Sequence, residues 1–298
     1  SLVILLGASI WAREAFIEAR RVELARAARR RLLRQDSENT PMVVSEDTAT
    51  ATPTASSPSS SSSSSQQRRA GSLRFRVLLL DHDDTTVRGT EEVHYPAHVE
   101  SLKILRPDLT PVSISEWFLK NHEPGISSYL KSLFSAEQMK EEHEIWLRAQ
   151  QTKMPCYYDG MVDLLSEFRA LGGRIAVVSH SPASSIWRHY EAHPLADRIR
   201  PDLVLGWDDD PQKRKPSVWP AHEVLQQLGA TADEALVVDD LSPGIKMAKA
   251  AGIKTAAAAW GHSVPQIQEY MRRECHFYFS TVQEFSDFLL GRDGVSSL

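Results

Sequence analysis

From Phe75 onward the chain repeats one pattern: a short unbroken apolar run, a polar break, then an amphipathic stretch. Val77-Leu78-Leu79-Leu80 runs into Asp81, Ile175-Ala176-Val177-Val178 into Ser179, and Ala235-Leu236-Val237-Val238 into Asp239 and Asp240. A run with no polar face predicts a strand buried on both sides of a sheet. Leu203 to Leu205, Thr255 to Ala259 and Phe277 to Phe279 predict weaker strands. Helical spacing covers Gly160 to Leu171, Ala183 to Ala192, Val218 to Leu228, Pro243 to Ala251, Pro265 to Arg273 and Val282 to Leu290. Strand alternating with helix predicts an α/β fold, a Rossmann-like, doubly wound parallel sheet with helices on both faces.

The stretch after the first strand breaks the pattern. Between Thr86 and Pro155 there is no buried-strand run, only short amphipathic segments: Ala97 to Leu105, Ser115 to Lys120, Ile126 to Phe134 and Ala136 to Gln151. Ser135-Ala136-Glu137-Gln138 has the residues of a capping box at the start of the last one. Some 70 residues are too many for a simple crossover. They predict a small α-helical cap, residues 86–155, inserted into a core made of residues 72–85 and 156–291.

Residues 1–71 differ in composition. Ser1 to Ala12 is mostly apolar, Arg13 to Arg34 is an Ala/Arg/Leu/Glu stretch with high helix propensity, and Asp36 to Arg69 is rich in Ser, Thr and Pro. The last part, with serine at every position from Ser59 to Ser65, predicts a disordered linker. The apolar run falls short of the ~20 residues that span a bilayer. It is compatible with the end of a membrane anchor, a targeting segment or a plain basic helix, and the initial Ser leaves room for a missing true start. Any membrane contact is expected only through this segment.

Charge sharpens the division. Of a net −5 for 298 residues, the first 71 carry +3, so the remainder is distinctly acidic. That argues against a nucleic-acid binder. With 42% hydrophobic and 24% charged residues, the chain is neither wholly disordered nor a multi-span membrane protein. Two cysteines, Cys156 and Cys275, exclude a disulfide scaffold and favour a reducing compartment, cytoplasm or organelle.

Ligands of open parallel sheets bind beyond the carboxyl ends of the strands, where these apolar runs end in polar groups. Asp81-His82-Asp83-Asp84-Thr85, Ser179-His180-Ser181 and Asp239-Asp240 are thereby expected on one rim, with Lys213-Arg214-Lys215-Pro216 in a nearby loop. Converging carboxylates repel unless a cation sits among them. Hard oxygen donors favour Mg²⁺ over zinc. A nicotinamide-binding fold needs a glycine-rich turn after the first strand, and Asp81-His82-Asp83 stands there instead.

These residues, in this order, resemble the four motifs of the haloacid dehalogenase-like hydrolase superfamily: Asp81-x-Asp83-x-Thr85, Ser179, Lys215-Pro216, and Val238-Asp239-Asp240 followed by Gly244 and Ala250-Ala251-Gly252. The resemblance covers about Arg74 to Leu290, and the insertion looks like that family's helical C1-type cap. It implies a Mg²⁺-dependent phosphatase acting on a small phosphorylated metabolite. Asp81 would be the nucleophile, giving an aspartyl-phosphate, and Asp83 the acid and base. The implied substrate-binding set is Thr85 bracing the loop, Ser179 and the backbone N–H of His180 on phosphoryl oxygens, and Lys215 neutralising charge. Asp81, Asp240 and the carbonyl of Asp83 would hold the metal, with Asp239 acting mainly through water.

Plainer readings stand beside these. Asp81 and Asp83 also suit turns, Ser179 a helix N-cap, and Lys213 competes with Lys215. His94 and His98 have i, i+4 spacing, but Pro96 between them points to the start of the cap or the surface. Trp117, Trp146 and Tyr129 read as cap core, and Cys156 as a small buried residue. Asp83 argues against the dehalogenase branch. A sugar-phosphate mutase shares the motifs, and a non-enzymatic binding module would be expected to lack one. Asn121 to Gly125 is the best candidate for a specificity loop.

Overall fold

All four residues of β1 (Val77–Leu80) are buried, as an apolar run covered on both faces requires. The protein, seen in a computed structural model that describes residues 73–292, builds a six-stranded sheet around this strand. The readings made for residues 1–71 lie outside the described residues. The other strands are β2 (Arg174–Val178), β3 (Leu203–Leu205), β4 (Ala235–Asp239), β5 (Lys254–Ala258) and β6 (Phe277–Phe279), in the order β3-β2-β1-β4-β5-β6. Every pairing is parallel.

Alternation divides the core into two layers. Leu78, Leu80, Ile175, Val177, Leu236 and Val238 face α5 (Met161–Ala170), α6 (Ala183–Glu191) and α11 (Val282–Leu289), meeting Leu165, Phe168, Ile186, Tyr190 and Phe285. Val77, Leu79, Ala176, Val178 and Val237 face α8 (Trp219–Leu228) and α9 (Ser242–Ala250) through Ala221, Val224, Met247 and Ala248. A short α7 (Ala196–Ile199) precedes β3, and α10 (Pro265–Glu274) joins β5 to β6.

Leu80 is in register with Val177 on one side and Val238 on the other. Asp81, Ser179 and Asp239 therefore leave the sheet at nearly one level. The chain builds outward from β1 to β3, then returns to add β4 on the opposite side of β1. This reversal is the switch point where such sheets open a crevice.

The helical insertion follows β1. A five-residue π-turn (Thr90–His94) leads into α1 (Tyr95–Leu105), then α2 (Ile114–His122), α3 (Ile126–Leu133) and α4 (Ala136–Thr152). The Ser135 capping box at the start of α4 is present. Leu102, Trp117, Leu130 and Phe134 form a separate small core. Phe118, next to Trp117, instead packs with Ile245, Ala257, Val264 and Ile267, so α2 joins cap to sheet domain.

The helix entering the cap starts earlier than Ala97. Pro96 has no N–H for the turn before it, and the adjoining bond is the wide one from Tyr95 N–H to the Thr90 carbonyl. Two other expectations are corrected here. His98 is buried, 4.3 Å centroid to centroid from Trp117, and not on the surface. Cys156 is exposed: its backbone N–H and C=O are taken by Glu92 Oε2 and the Arg88 N–H in the strand-like return from the cap.

Candidate active site

The loop after β1 is wound tightly. The Thr86 and Val87 N–H groups donate to the His82 carbonyl, Thr86 Oγ1 donates to the Asp81 carbonyl at 2.8 Å, and Asp84 takes a left-handed φ of 61°. Asp84 accepts from the Thr90 N–H at 3.1 Å, tying the loop to the π-turn. Gly89 is required by close approach, since a Cβ there would stand 2.0 Å from Asp83 Oδ1. Burial and the neighbouring Asp83 push the Asp84 carboxyl up to about 7, although its bonds to Thr90 oppose this.

Asp81, at the end of β1, and Asp239, at the end of β4, share one ammonium. Lys215 Nζ lies 2.8 Å from Asp81 Oδ1 and 2.7 Å from Asp239 Oδ2, with all three residues buried. Burial alone would lower the proton affinity of Lys215, but the two carboxylates outweigh it and keep the lysine charged. Lys213 is exposed and pairs loosely with Asp208 at 3.9 Å. The imidazole of His180 also takes part, with Nε2 2.9 Å from the Lys215 carbonyl. Burial and the lysine charge hold this imidazole near 4, neutral at pH 7, so Nε2 carries the proton and donates.

Asp240 completes the rim. One ligand oxygen from each of Asp81, Asp239 and Asp240 falls within 4.8 Å of the others, and Asp240 Oδ2 is buried with no hydrogen-bond partner. Burial, then carboxylate crowding, raises Asp240 well above the ordinary range, and burial raises Asp239 to about 6 despite Lys215. Three buried carboxylates with one lysine between them and an unpartnered oxygen are consistent with a divalent-cation site. Gly244 makes room at this rim, since a Cβ would lie 2.0 Å from Asp239 Oδ2.

Asp83 stands opposite. Its Oδ2 accepts from Ser181 Oγ at 2.6 Å and lies 3.5 Å from Ser179 Oγ, while its Oδ1 is 3.1 Å from His94 Nε2. Burial pushes the Asp83 carboxyl up, but His94, with Ser181 assisting, prevails and holds it below the ordinary carboxylate range. Ser179 leaves β2 with its N–H on the Leu205 carbonyl, and its Oγ accepts from the Ser181 N–H at 3.1 Å. Thr85 is wholly buried; its carbonyl takes the Trp260 indole N–H at 2.9 Å, which braces the loop from behind, away from the rim.

Asp81, Asp83, Ser179, His180, Lys215, Asp239 and Asp240 thus converge. Ser181 was expected on the rim but given no role of its own, and His94, Trp146 and His262 were given no place in the site. His262 Nε2 lies 3.3 Å from the Asp240 carbonyl. Trp146 is not cap core but donates its indole N–H to His94 Nδ1 at 3.0 Å. His94, read as surface or the start of the cap, reaches the core because the π-turn brings it round to Asp83. The Asn121–Gly125 loop docks on α9: the His122 carbonyl accepts from Ser242 Oγ at 2.8 Å, and Glu123 pairs with Lys246.

A parallel sheet with this rim and a helical cap after its first strand is the architecture of a phosphoryl-handling hydrolase, and the comparisons agree. A family model described as haloacid dehalogenase-like hydrolase matches residues 80–258, more than half of the chain, and the chain belongs to that family. It is similar to a phosphoglycolate phosphatase of Aquifex aeolicus, 26% identical over 194 residues, which cover 63% of this chain and 86% of the relative. A phosphoglycolate phosphatase of Rhodospirillum rubrum is 36% identical over 106 residues, 36% of this chain and 43% of that protein. Among solved structures, a haloacid dehalogenase-like family hydrolase from Streptococcus pneumoniae shares the fold with a TM-score of 0.58 at 16% identity, covering 71% of this chain and 97% of that one.

Proposed function

We propose that the protein is a Mg²⁺-dependent phosphatase that hydrolyses a small phosphorylated metabolite through an aspartyl-phosphate on Asp81. The observation that carries this reading is the Lys215 ammonium bound to both Asp81 and Asp239, with Asp83 facing them across the same rim. An ammonium 2.8 Å from Asp81 offsets the repulsion between a carboxylate nucleophile and a phosphate. The phosphatase names of the relatives support the same reaction class.

In the first step an Asp81 carboxylate oxygen forms a bond to phosphorus, and the bond from phosphorus to the leaving oxygen breaks. Asp83 gives that oxygen a proton, which it takes up from solvent as the incoming phosphate dianion raises its proton affinity, and which it regains from water in the second step. In the second step Asp83 takes a proton from water, the water oxygen bonds to phosphorus, and the Asp81–phosphorus bond breaks to release phosphate. Ser179 and the His180 N–H are the donors for the phosphoryl oxygens. Asp81, Asp240 and the Asp83 carbonyl would hold Mg²⁺, with Asp239 beside them; the unpartnered Asp240 Oδ2 fits that role. When bound, the cation supplies positive charge that lowers the repulsion on the phosphate.

The test is phosphate release from a panel of phosphorylated metabolites with Mg²⁺, for wild type and Asp81→Asn. Release by wild type and none by the variant is expected. No release from any ester, or undiminished release by Asp81→Asn, contradicts the assignment. Isomerised sugar phosphate without net release identifies the mutase reaction instead.

A further inference from the structure

His180 stands where two segments of the rim meet. β2 ends in Ser179-His180-Ser181, and β3 runs into the loop that carries Lys215. The backbone stitches the two together: the Ser179 N–H donates to the Leu205 carbonyl at 3.0 Å, and the Trp207 N–H to the Ser181 carbonyl at 2.9 Å. The side chain of His180 adds a link to the lysine itself, since Nε2 lies 2.9 Å from the Lys215 carbonyl. A carbonyl oxygen only accepts, so Nε2 carries the proton and, in a neutral imidazole, Nδ1 carries none. Lys215 is thereby held at both ends. His180 binds its carbonyl, and Asp81 and Asp239 bind its ammonium at 2.8 and 2.7 Å.

The imidazole is itself braced. Trp207 meets it edge to face, with ring centroids 6.0 Å apart and planes at 74°. The Arg214 guanidinium lies over Trp207, 4.0 Å from its centroid, and Arg214 Nη1 donates to the Asp208 carbonyl at 2.6 Å, which closes the loop on itself. Trp207 is 37% exposed and lies outside both core layers, so its ring steadies the imidazole and the loop and not the sheet.

We infer that the imidazole of His180, braced by Trp207, is a positioning residue for Lys215: one residue gives its backbone N–H to the phosphate and its side chain to the lysine, which sets the spacing between the phosphoryl donors and the ammonium on the nucleophile. This rests on the phosphatase reading above only in giving the His180 N–H and Lys215 those roles. The imidazole acts through Lys215 and passes no proton to or from the substrate. Its loss therefore weakens the hold on every phosphoryl group alike, whatever the leaving group. Loss of an acid or base, by contrast, is felt most by a poor leaving group.

The test compares wild type, His180→Leu, His180→Gln and Trp207→Leu on an alkyl and an aryl phosphate with Mg²⁺. Inorganic phosphate serves as competitive inhibitor, and ¹⁵N-histidine NMR is recorded on the wild type and Trp207→Leu at pH 7. His180→Leu keeps the backbone N–H and is expected to lose roughly 10-fold in kcat/KM, the worth of about one hydrogen bond, equally on both esters. It also binds inorganic phosphate more weakly. His180→Gln, whose amide nitrogen takes the place of Nε2, recovers most of both losses. The wild-type spectrum shows His180 protonated on Nε2 alone, and Trp207→Leu shifts that resonance. Unchanged kcat/KM in His180→Leu, a loss confined to the alkyl ester, no recovery by Gln, or a proton on Nδ1 overturns the inference. Should His180→Leu fail to fold, near-wild-type kcat/KM in His180→Gln together with the Nε2 proton supports the inference, and a tenfold loss in Gln overturns it. Absence of wild-type activity on every ester would instead sink the phosphatase reading, and the NMR arm would still decide the bond from His180 to Lys215.

Discussion

Asp81 and Asp239 lean on the same ammonium, at 2.8 and 2.7 Å, inside a site where none of the three side chains is more than a tenth exposed. Removing one partner of a buried ion pair costs about 3–5 kcal/mol, because the partner left behind is a desolvated charge. Lys215→Ala is therefore expected to lose stability of that order in metal-free buffer, read by urea unfolding, and to lose turnover as well. Mg²⁺ should restore part of the stability and little of the activity, since it can neutralise the carboxylates without replacing the ammonium on the nucleophile. A variant as stable as wild type would show that the ammonium does not hold the rim together. At this scale much of the site was legible. Asp81, Asp83, Ser179, Lys215, Asp239 and Asp240 follow apolar strands or precede a proline, and strand register alone brings most of them to one edge. The roles of His94 and Trp146 were not legible: Asp83 faces His94 across the cap–core boundary, and Trp146 reaches His94 from 52 residues along the chain.

Among elements, α4 carries both a device and a cost. Its Trp146 donates to His94 and its Gln150 to Ser181, the two partners of Asp83, while Glu142 on the same helix is buried and its carboxyl is pushed up to about 7 by burial. An acid whose folded value lies above its ordinary 4.5 is penalised when ionised. Folding stability then falls as pH rises from about 4.5 to 7 and stays low above it. The size is on the order of 3 kcal/mol. Glu142→Gln should be more stable than wild type at pH 8, and the difference should vanish by pH 4; equal melting temperatures at pH 8 would contradict this. The core strands were legible because a continuous apolar run has few other uses. The π-turn was not: Pro96 reads as a helix start in any sequence, and the wide bond from Tyr95 to Thr90 becomes visible only in the backbone.

For the molecule as a whole, residues 73–292 give the sheet a packed layer on each face and the cap a small core of its own. A protein beginning at residue 72 is expected to fold and to keep wild-type kcat; loss of soluble, active protein would assign residues 1–71 to the folded domain. Activity should disappear in excess EDTA and return with Mg²⁺, because the crowded carboxylates of the rim cannot accept a phosphate dianion without a cation. Robust turnover in EDTA would show that catalysis needs no divalent cation.

A covalent phosphate on Asp81 is sought by mass spectrometry of the Asp83→Asn protein quenched in acid during reaction with an aryl phosphate and Mg²⁺. The Asp83→Asn change leaves the nucleophile in place, but an amide cannot activate water, so phosphorylation outpaces hydrolysis. Phosphate is expected on the peptide containing Asp81, and none when Asp81→Asn is added; phosphate on another residue, or wild-type turnover by Asp81→Asn, would contradict a nucleophilic Asp81.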